Sequence, residues 1–451
     1  MTDTKNIREL ALDILMEILE KGSYSHVVLG QALGKYQYLT KQDRGFITRI
    51  TEGVLEYLIQ IDWMLNRYSS TKVEKMKPVI RTILRMSVYQ IVYLDRIPDA
   101  AACNEGVKLA IKRKFTGLKG FVNGILRRIS REKESMLKEL AEPAFPWPFI
   151  RYSIPEWLYE MWKKELGQEQ TDGILSAFLQ QAPTTVRCNL SLASKNEILD
   201  SLSAQAAEVT ESPYSDKVLL LSGYDYLEGL EAFLKGWIQV QDLSSVFAGE
   251  AVCPEKGSYV LDVCAAPGGK SLHMADMLAG TGMVEARDIS QAKAELIKEN
   301  ISRSGFSNIC VTVQDALEFV PESAGKADIL LADLPCSGLG IIGKKPDIKL
   351  HMTPDKLEAL KKLQREILAV VWQYVKPGGI LVYSTCTIHK GENQETAEWF
   401  LNHYPFKPVD LTGQFGDQIQ ETSLKEGQMQ FLPGKYPCDG FFIAVFRRDL
   451  P

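Results

Sequence analysis

Two cysteines stand where apolar runs end: Cys336 in Asp333-Leu334-Pro335-Cys336-Ser337-Gly338 and Cys386 in Ser384-Thr385-Cys386-Thr387. A buried cysteine is most often just a small apolar side chain. Two of them at the carboxyl edge of one open α/β sheet, where such folds place their ligands, point to nucleophilic chemistry. A thiolate adds readily to an electron-poor conjugated carbon and can later leave, which is what methylation at carbon 5 of a pyrimidine requires.

The ligand these thiols would serve is indicated by the segment after the apolar run 259–263. Cys264, Ala265, Ala266, Pro267, Gly268, Gly269 and Lys270 form a loop of mostly small residues that opens a helix near Lys270. Small side chains let a ligand approach the backbone, and a helix N-terminus favours a carboxylate or phosphate. The loop has neither the GxGxxG pattern of dinucleotide folds nor the GxxxxGK[ST] of P-loops, which weakens both readings. Asp288, Asp315 and Asp333 lie at the ends of later strands. Asp288 ends the second strand, roughly 20 residues past the loop, the place from which an acid holds ribose hydroxyls. One aspartate at a strand end is as often a helix cap or a solvated turn. Three at successive ends fit a nucleoside with a charged tail.

A sheet must carry these groups. After Trp237, apolar strands at 259–263, 283–288, 309–313, 327–332 and 379–384 alternate with helical stretches, the pattern of a doubly wound parallel α/β sheet. From about 150 to 235 a Trp-rich helix (Trp157, Trp162), an alternating segment at 185–190 and the run 218–221 predict a small α+β domain. Before that, apolar residues recur three and four apart, as in Ile7, Leu10, Ala11, Ile14, Leu15 and Ile18, and predict an all-α bundle. A stretch dense in proline (Pro143, Pro146, Pro148, Pro155) breaks the period and reads as a linker, giving domains 1–140, 141–235 and 236–451.

With 45% hydrophobic and 24% charged residues in 451, the composition is that of a globular protein rather than a disordered or fibrous one. Net charge is −5, yet residues 1–140 carry 24 Lys or Arg against 16 Asp or Glu, while the remainder carries 28 against 41. A basic end on an otherwise acidic chain raises the odds of nucleic-acid binding. Between Lys108 and Lys133 nine basic residues face one acid, Glu132, which reads as a phosphate-tracking surface over a merely solvated helix face. Eight cysteines without a CxxC pair and five histidines give neither a zinc site nor a disulfide framework, so no metal is expected and reduced thiols suit the cytoplasm. The first residues lack the apolar core of a signal peptide, and no run of 18 apolar residues occurs, so the chain is expected to be neither secreted nor membrane-spanning. The oligomeric state is open, with a monomer favoured.

DVCAAPGGKS, DLPCSGLG and YSTCT resemble the motifs of the Nop/Sun family of RNA (cytosine-5) methyltransferases, and DGFFIAVFRR (439–448) is similar to that family's last strand. CNEGVKLAIKR (103–113) and GFVNGILRRI (120–129) resemble a NusB-type helical RNA-binding domain, and APTTVRCN (182–189) is similar to a segment of a small ferredoxin-like domain. Arg287 stands where the family more usually has a small or apolar residue. The likeness covers nearly the whole chain. It implies a multidomain protein: an all-α NusB-like domain, a small ferredoxin-like domain and a Rossmann-like methyltransferase domain. It also implies that S-adenosylmethionine is held by the 264–270 loop with Asp288, Asp315 and Asp333.

The resemblance implies, further, that Cys386 adds to carbon 6 of a cytosine so that carbon 5 can attack the sulfonium methyl. Asp333 would bond the base near nitrogen 3, and Cys336 would assist the final elimination. On the residues alone the two thiols cannot be ranked, because DNA cytosine-5 methyltransferases use a Pro-Cys thiol comparable to Cys336. The RNA implied is ribosomal, 16S RNA of the small subunit before assembly, since the target base must leave its stack. Two rivals remain: a transfer RNA cytosine methyltransferase, which the NusB-like extension disfavours, and a non-catalytic NusB-like RNA-binding adaptor, which intact Cys336, Cys386 and Asp333 disfavour.

Overall fold

The computed structural model describes residues 6–36, 39–180, 182–419 and 422–451, and the chain divides into two compact units. One comprises the residues up to Leu179 together with Ile342–His351, the other Gln180–Ile341 and Met352–Pro451.

The first unit is helical, with main helices Ile7–Lys21, Lys41–Glu56, Leu58–Tyr68, Pro78–Tyr93, Asp99–Lys112 and Lys119–Ala141. Local signals set their ends. Asn6 Oδ1 accepts the Arg8 backbone N–H at 2.9 Å, Gly22 closes the first helix at φ +73°, and Pro78 sits in a first turn where no N–H is missed. The apolar stripes meet in one core in which Leu15, Ile47, Ile61, Leu84 and Leu126 are fully buried. The proline-dense stretch is not a free linker. Its prolines stop the helix, but Phe145 between them enters this core, edge-on to Trp63 at 5.7 Å, and Arg151 Nε donates to the Leu140 carbonyl at 2.7 Å. Helices Glu156–Leu166 and Gln168–Phe178 continue the same unit.

Nothing in the sequence had marked Ile342–His351 as part of this unit. Asp347, almost wholly buried, accepts the Ser25 backbone N–H and hydroxyl, both at 2.8 Å. Lys349 Nζ donates to the Glu56 carbonyl at 2.6 Å, and burial lowers the Lys349 ammonium to about 7.

Among its described residues the second unit holds twelve strands: β1 (Thr184–Cys188), β2 (Glu208–Glu211), β3 (Val218–Ser222), β4 (Ile238–Val240), β5 (Tyr259–Asp262), β6 (Met283–Asp288), β7 (Ile309–Val313), β8 (Ala327–Asp333), β9 (Val375–Thr385), β10 (Phe406–Pro408), β11 (Gln428–Phe431) and β12 (Phe441–Arg448). The first four make an antiparallel sheet in the order β2-β3-β1-β4. The large sheet runs β10-β12-β9-β8-β5-β6-β7, with β11 paired to β12. Strands β9 to β7 are parallel, as expected, and near-continuous apolar runs such as Ile329–Ala332 suit strands covered on both faces. The carboxyl-terminal part departs from the all-parallel expectation, because β12 returns from its antiparallel partner β11 and therefore lies antiparallel to β9. That reversal brings Phe441, at the start of β12, to the edge where β9 ends. Strand order reverses between β5 and β8, the crevice in which open α/β sheets bind ligands.

One buried charge ties the small sheet to the large one. Arg187 on β1 is fully buried, donates to Gln241 Oε1 at 2.8 Å and pairs with Asp276 at 3.4 Å on the helix Gly269–Leu278. Asp276 also accepts the Ser191 backbone N–H and hydroxyl. Burial lowers the guanidinium to about 10, which leaves it charged at neutral pH.

In the helical unit, Gly53 is the position least tolerant of a methyl group: a Cβ there would lie 2.0 Å from the fully buried Tyr89 ring, itself stacked on Tyr57 and Tyr93. Gly53→Ala should destabilise this unit by about 1–3 kcal/mol. Hydrogen exchange in helix Lys41–Glu56 reads the loss, and unchanged protection would show that the ring stack can move.

Candidate active site

The loop after β5 is held by the neighbouring strand. Ala265 donates its N–H to the Arg287 carbonyl at 2.8 Å, and Ala266 donates to Asp288 Oδ2 at 2.9 Å. Gly268 adopts φ +104°, a region open to glycine, and caps the helix Gly269–Leu278. Asn300 Nδ2 bonds the Pro267 carbonyl at 3.0 Å. Cys264 is half-buried, and burial first, then the surrounding carboxylates, push its thiol well above the ordinary range. Asp288 is buried, accepts the Ile289 N–H at 2.8 Å and pairs with Lys293 at 3.1 Å. Arg287, the unusual residue before it, turns to Glu285 (2.7 Å) and Ser323 (2.7 Å) rather than to the loop, and its buried Nη1 has no hydrogen-bond partner among the described residues.

Asp333 and the thiols lie on the adjacent strand ends. Asp333 Oδ2 accepts Lys270 Nζ at 2.7 Å, and Oδ1 accepts the Ser384 hydroxyl at 2.8 Å. Lys270 thus reaches from the loop to Asp333 and lies over the Phe441 ring at 5.0 Å. Cys336 Sγ and Cys386 Sγ are 3.1 Å apart. Contact with Cys386, then burial, raises the Cys336 thiol well above its ordinary range and keeps it protonated. The Gly340 N–H donates to the Cys386 carbonyl at 3.1 Å and the Gly440 N–H to the Gly340 carbonyl at 2.9 Å, so the turns after β8 and β9 and the start of β12 are laced together. No side chain fits there, since a Cβ on Gly340 would lie 1.9 Å from the Gly440 oxygen.

The loop, Asp288, Asp333, Cys336 and Cys386 are therefore brought to one edge. Asp315 is not joined to them by a side-chain bond: Oδ1 accepts the Leu317 N–H of its own turn at 2.9 Å. Two features escaped the sequence reading. Asp262 ends β5 beneath the loop; its Oδ2 accepts Ser271 Oγ at 2.6 Å while Oδ1 has no hydrogen-bond partner, and burial raises its carboxyl to about 7. An acid closing an apolar strand just before the loop was the available signal. Ile289, Val313 and Leu317, 57%, 45% and 41% exposed, leave apolar surface at the ends of β6 and β7. The basic run 108–133 is also partly spent: Lys112 pairs with Glu9, Arg113 with Glu9 and Asp13, Arg128 with Glu132, and Lys133 with Asp99. Exposed Lys114, Lys119 and Arg127 stand outside those pairs.

Residues 250–447 match the family model described as 16S rRNA methyltransferase RsmB/F, residues 5–131 the NusB family, and residues 154–225 the RsmF/B-like ferredoxin-like domain. The chain is 35% identical to the probable ribosomal RNA small subunit methyltransferase B of Bacillus subtilis (strain 168), over 98% of this chain and 99% of that one. The chain belongs to the RsmB/F family of 16S rRNA methyltransferases. Another RsmB/F relative, the ribosomal RNA small subunit methyltransferase B of Klebsiella pneumoniae (strain 342), is 32% identical over 98% of each chain. The crystal structure of PH0851 superposes with a TM-score of 0.81 at 27% identity, covering 98% of both chains. A methyltransferase homologue from Pyrococcus horikoshii superposes with 0.58 at 26% identity, covering 68% of this chain and 99% of that one. The multidomain reading, NusB-like, ferredoxin-like and methyltransferase, holds.

The buried Asp262 gives this RsmB/F chain a distinctive pH response. Its carboxyl holds a proton more tightly folded than unfolded, so the stability it contributes is full below about pH 4 and is lost as pH rises through 7. The loss amounts to at most about 4 kcal/mol, at ~1.4 kcal/mol per pH unit. Denaturant melts of the ligand-free protein from pH 5 to 8 should fall more steeply for the unmutated chain than for Asp262→Asn. Parallel curves would mean that Asp262 ionises without penalty.

Proposed function

We propose that this RsmB/F chain methylates carbon 5 of a cytidine in 16S ribosomal RNA, with S-adenosylmethionine as donor and Cys386 as the nucleophile. The observation that carries the reading is the 3.1 Å approach of two thiols beside Asp333, in the turns after β8 and β9 at the carboxyl edge of a methyltransferase sheet.

The residues suit the donor. Its ammonium and sulfonium charges complement the carboxylates of Asp288 and Asp333, and the buried Asp262 lies beneath the same loop. Asp288 would hold the ribose hydroxyls, the apolar surface of Ile289, Val313 and Leu317 would take the adenine, and the 264–270 loop would let the chain of the donor lie against the backbone; Asp315, whose Oδ1 serves its own turn, would bind through its other oxygen. Once bound, the donor supplies a methyl group already activated on sulfur.

Carbon 5 of cytosine is weakly nucleophilic, and addition of the Cys386 thiolate to carbon 6 turns it into an enamine-like centre. Asp333, oriented by Lys270 and Ser384, bonds the base near nitrogen 3 and stabilises the electron-rich adduct. Contact with Cys386, then burial, keeps Cys336 protonated in the free site. When Cys386 is bonded to carbon 6 that contact is lost; Cys336 can then lose its proton to solvent and take the one on carbon 5. The pair of electrons from that C–H bond forms the carbon 5–carbon 6 double bond, and Cys386 departs as a thiolate. Substrate in the cytoplasm, a ribosomal RNA not yet assembled, would offer an unstacked base most cheaply.

Cys386→Ala should abolish methyl transfer and the protein–RNA adduct together, whereas Cys336→Ala should methylate its bound base and then accumulate an adduct resistant to denaturing gels. The reverse pattern would exchange the two roles. Absence of any adduct between the unmutated protein and 5-fluorocytidine RNA, whose carbon 5 has no proton to lose, would favour the non-catalytic adaptor.

RNA affinity is assigned to the free part of the basic run. Replacing Lys114, Lys119 and Arg127 together by Ala should weaken binding and lower the slope of log affinity against log salt by about 2, at ~0.7 per phosphate on a single strand. Lys112 and Arg113, consumed by Glu9 and Asp13, should leave the slope nearly unchanged. An unaltered slope in the triple variant would return those residues to a solvated face.

A further inference from the structure

Two loops must converge to put one thiol 3.1 Å from the other, and neither strand pairing nor the thiols themselves can hold them there. Parallel pairing of β8 with β9 ends at Asp333 opposite Ser384, three residues before Cys336 and two before Cys386. Beyond that point the two turns are joined by the Gly340 N–H to the Cys386 carbonyl and, on either side of Cys336, by Glu392, fully buried eight residues past Ser384. Its Oε2 accepts the Ser337 N–H at 2.9 Å and Gln364 Nε2 at 2.9 Å; its Oε1 accepts the Ser337 hydroxyl at 2.6 Å and faces His389 Nδ1 at 3.2 Å. The Ser337 hydroxyl also lies 2.8 Å from Thr387 Oγ1. Gln364, from the helix Pro354–Val371, uses the same amide group to bond the Pro335 carbonyl at 3.0 Å. The residues on both sides of Cys336, and the residue after Cys386, are therefore all fastened within one bond or two of this carboxylate.

We propose that Glu392 is a positioning residue that holds the Cys336 loop against Cys386, and that its contribution falls on release of the methylated base rather than on attack. The proposal rests on the cysteine mechanism above. Attack needs only Cys386, which sits at the end of a long central strand and is held by its own carbonyl bond from Gly340. Release needs Cys336 at carbon 5: the C–H bond there breaks toward the Cys336 sulfur, its electron pair forms the carbon 5–carbon 6 double bond, and the sulfur of Cys386 leaves carbon 6 with its own pair. The same carboxylate, by its charge, adds to the forces that keep the resting Cys336 protonated.

Glu392→Gln keeps the size of the side chain but replaces one acceptor oxygen with a donor, which no longer suits the donors of Ser337. Ser337→Ala removes only the hydroxyl bonds. Both variants would be assayed in the full-length protein with unstructured 16S RNA and S-adenosylmethionine, by single-turnover methyl transfer, steady-state turnover and denaturing gels. In Glu392→Gln the expected result is near-normal single-turnover transfer and near-normal KM for both substrates. Turnover should fall roughly 10- to 100-fold and adduct should accumulate, as a displacement of about 1 Å commonly costs that much. Ser337→Ala should change in the same direction by less. Turnover and adduct levels like those of the unmutated chain would overturn the proposal, as would loss of adduct and methyl transfer together, the pattern of Cys386→Ala. If Glu392→Gln fails to fold, Ser337→Ala decides alone on the same readouts. Adduct absent from the unmutated protein would reject the cysteine mechanism; adduct present there with unaffected variants rejects only the role of Glu392.

Discussion

The register of β8 against β9 is the constraint on which the site depends. With Asp333 opposite Ser384, the serine hydroxyl reaches Asp333 directly, Leu334 still bonds the Ser384 carbonyl, and the two thiols emerge from adjacent turns. A slip by one residue would send Asp333 to the opposite face of the sheet and part it from Lys270. The near-continuous apolar sequences of both strands cannot fix that register alone, because either face would be apolar. Specific polar bonds at the carboxyl ends do so, and the antiparallel β12 closes the edge beside them.

Much of this was legible in the sequence because it rests on short-range signals. Strand ends at Asp288 and Asp333, the small-residue loop and the two cysteines follow from period and punctuation, and those positions fall on one sheet edge. What escaped detection depends on partners distant in the chain. Lys112 and Arg113 read as free cations until Glu9 and Asp13, about a hundred residues earlier, are seen beside them. Proline density at 143–155 reads as a linker, because nothing local tells that Phe145 fills a core. Antiparallel β12 escaped for a similar reason: the direction of a strand is set by the hairpin that delivers it, not by its own composition.

Buried polar groups recur where separate segments must be held in one arrangement. Arg187 with Asp276 links two sheets, and Glu392 with Ser337 and Gln364 links two turns and a helix. Each such group is costly to enclose and is tolerable only with its partners in place. An apolar contact of the same area would tolerate sliding; these bonds do not, which suits a site whose sulfur atoms must stay within ångströms of one another.

The assignment of Ile342–His351 to the helical unit has a consequence for how the protein is made. The residues up to Leu179 leave the ribosome first, but the segment carrying Asp347 and Lys349 follows only after four strands of the large sheet have been synthesised. Until then Ser25 and the Glu56 carbonyl lack their native partners. The helical unit cannot be finished in order of synthesis, and neither unit is a continuous stretch of chain that could be expressed alone without opening the other.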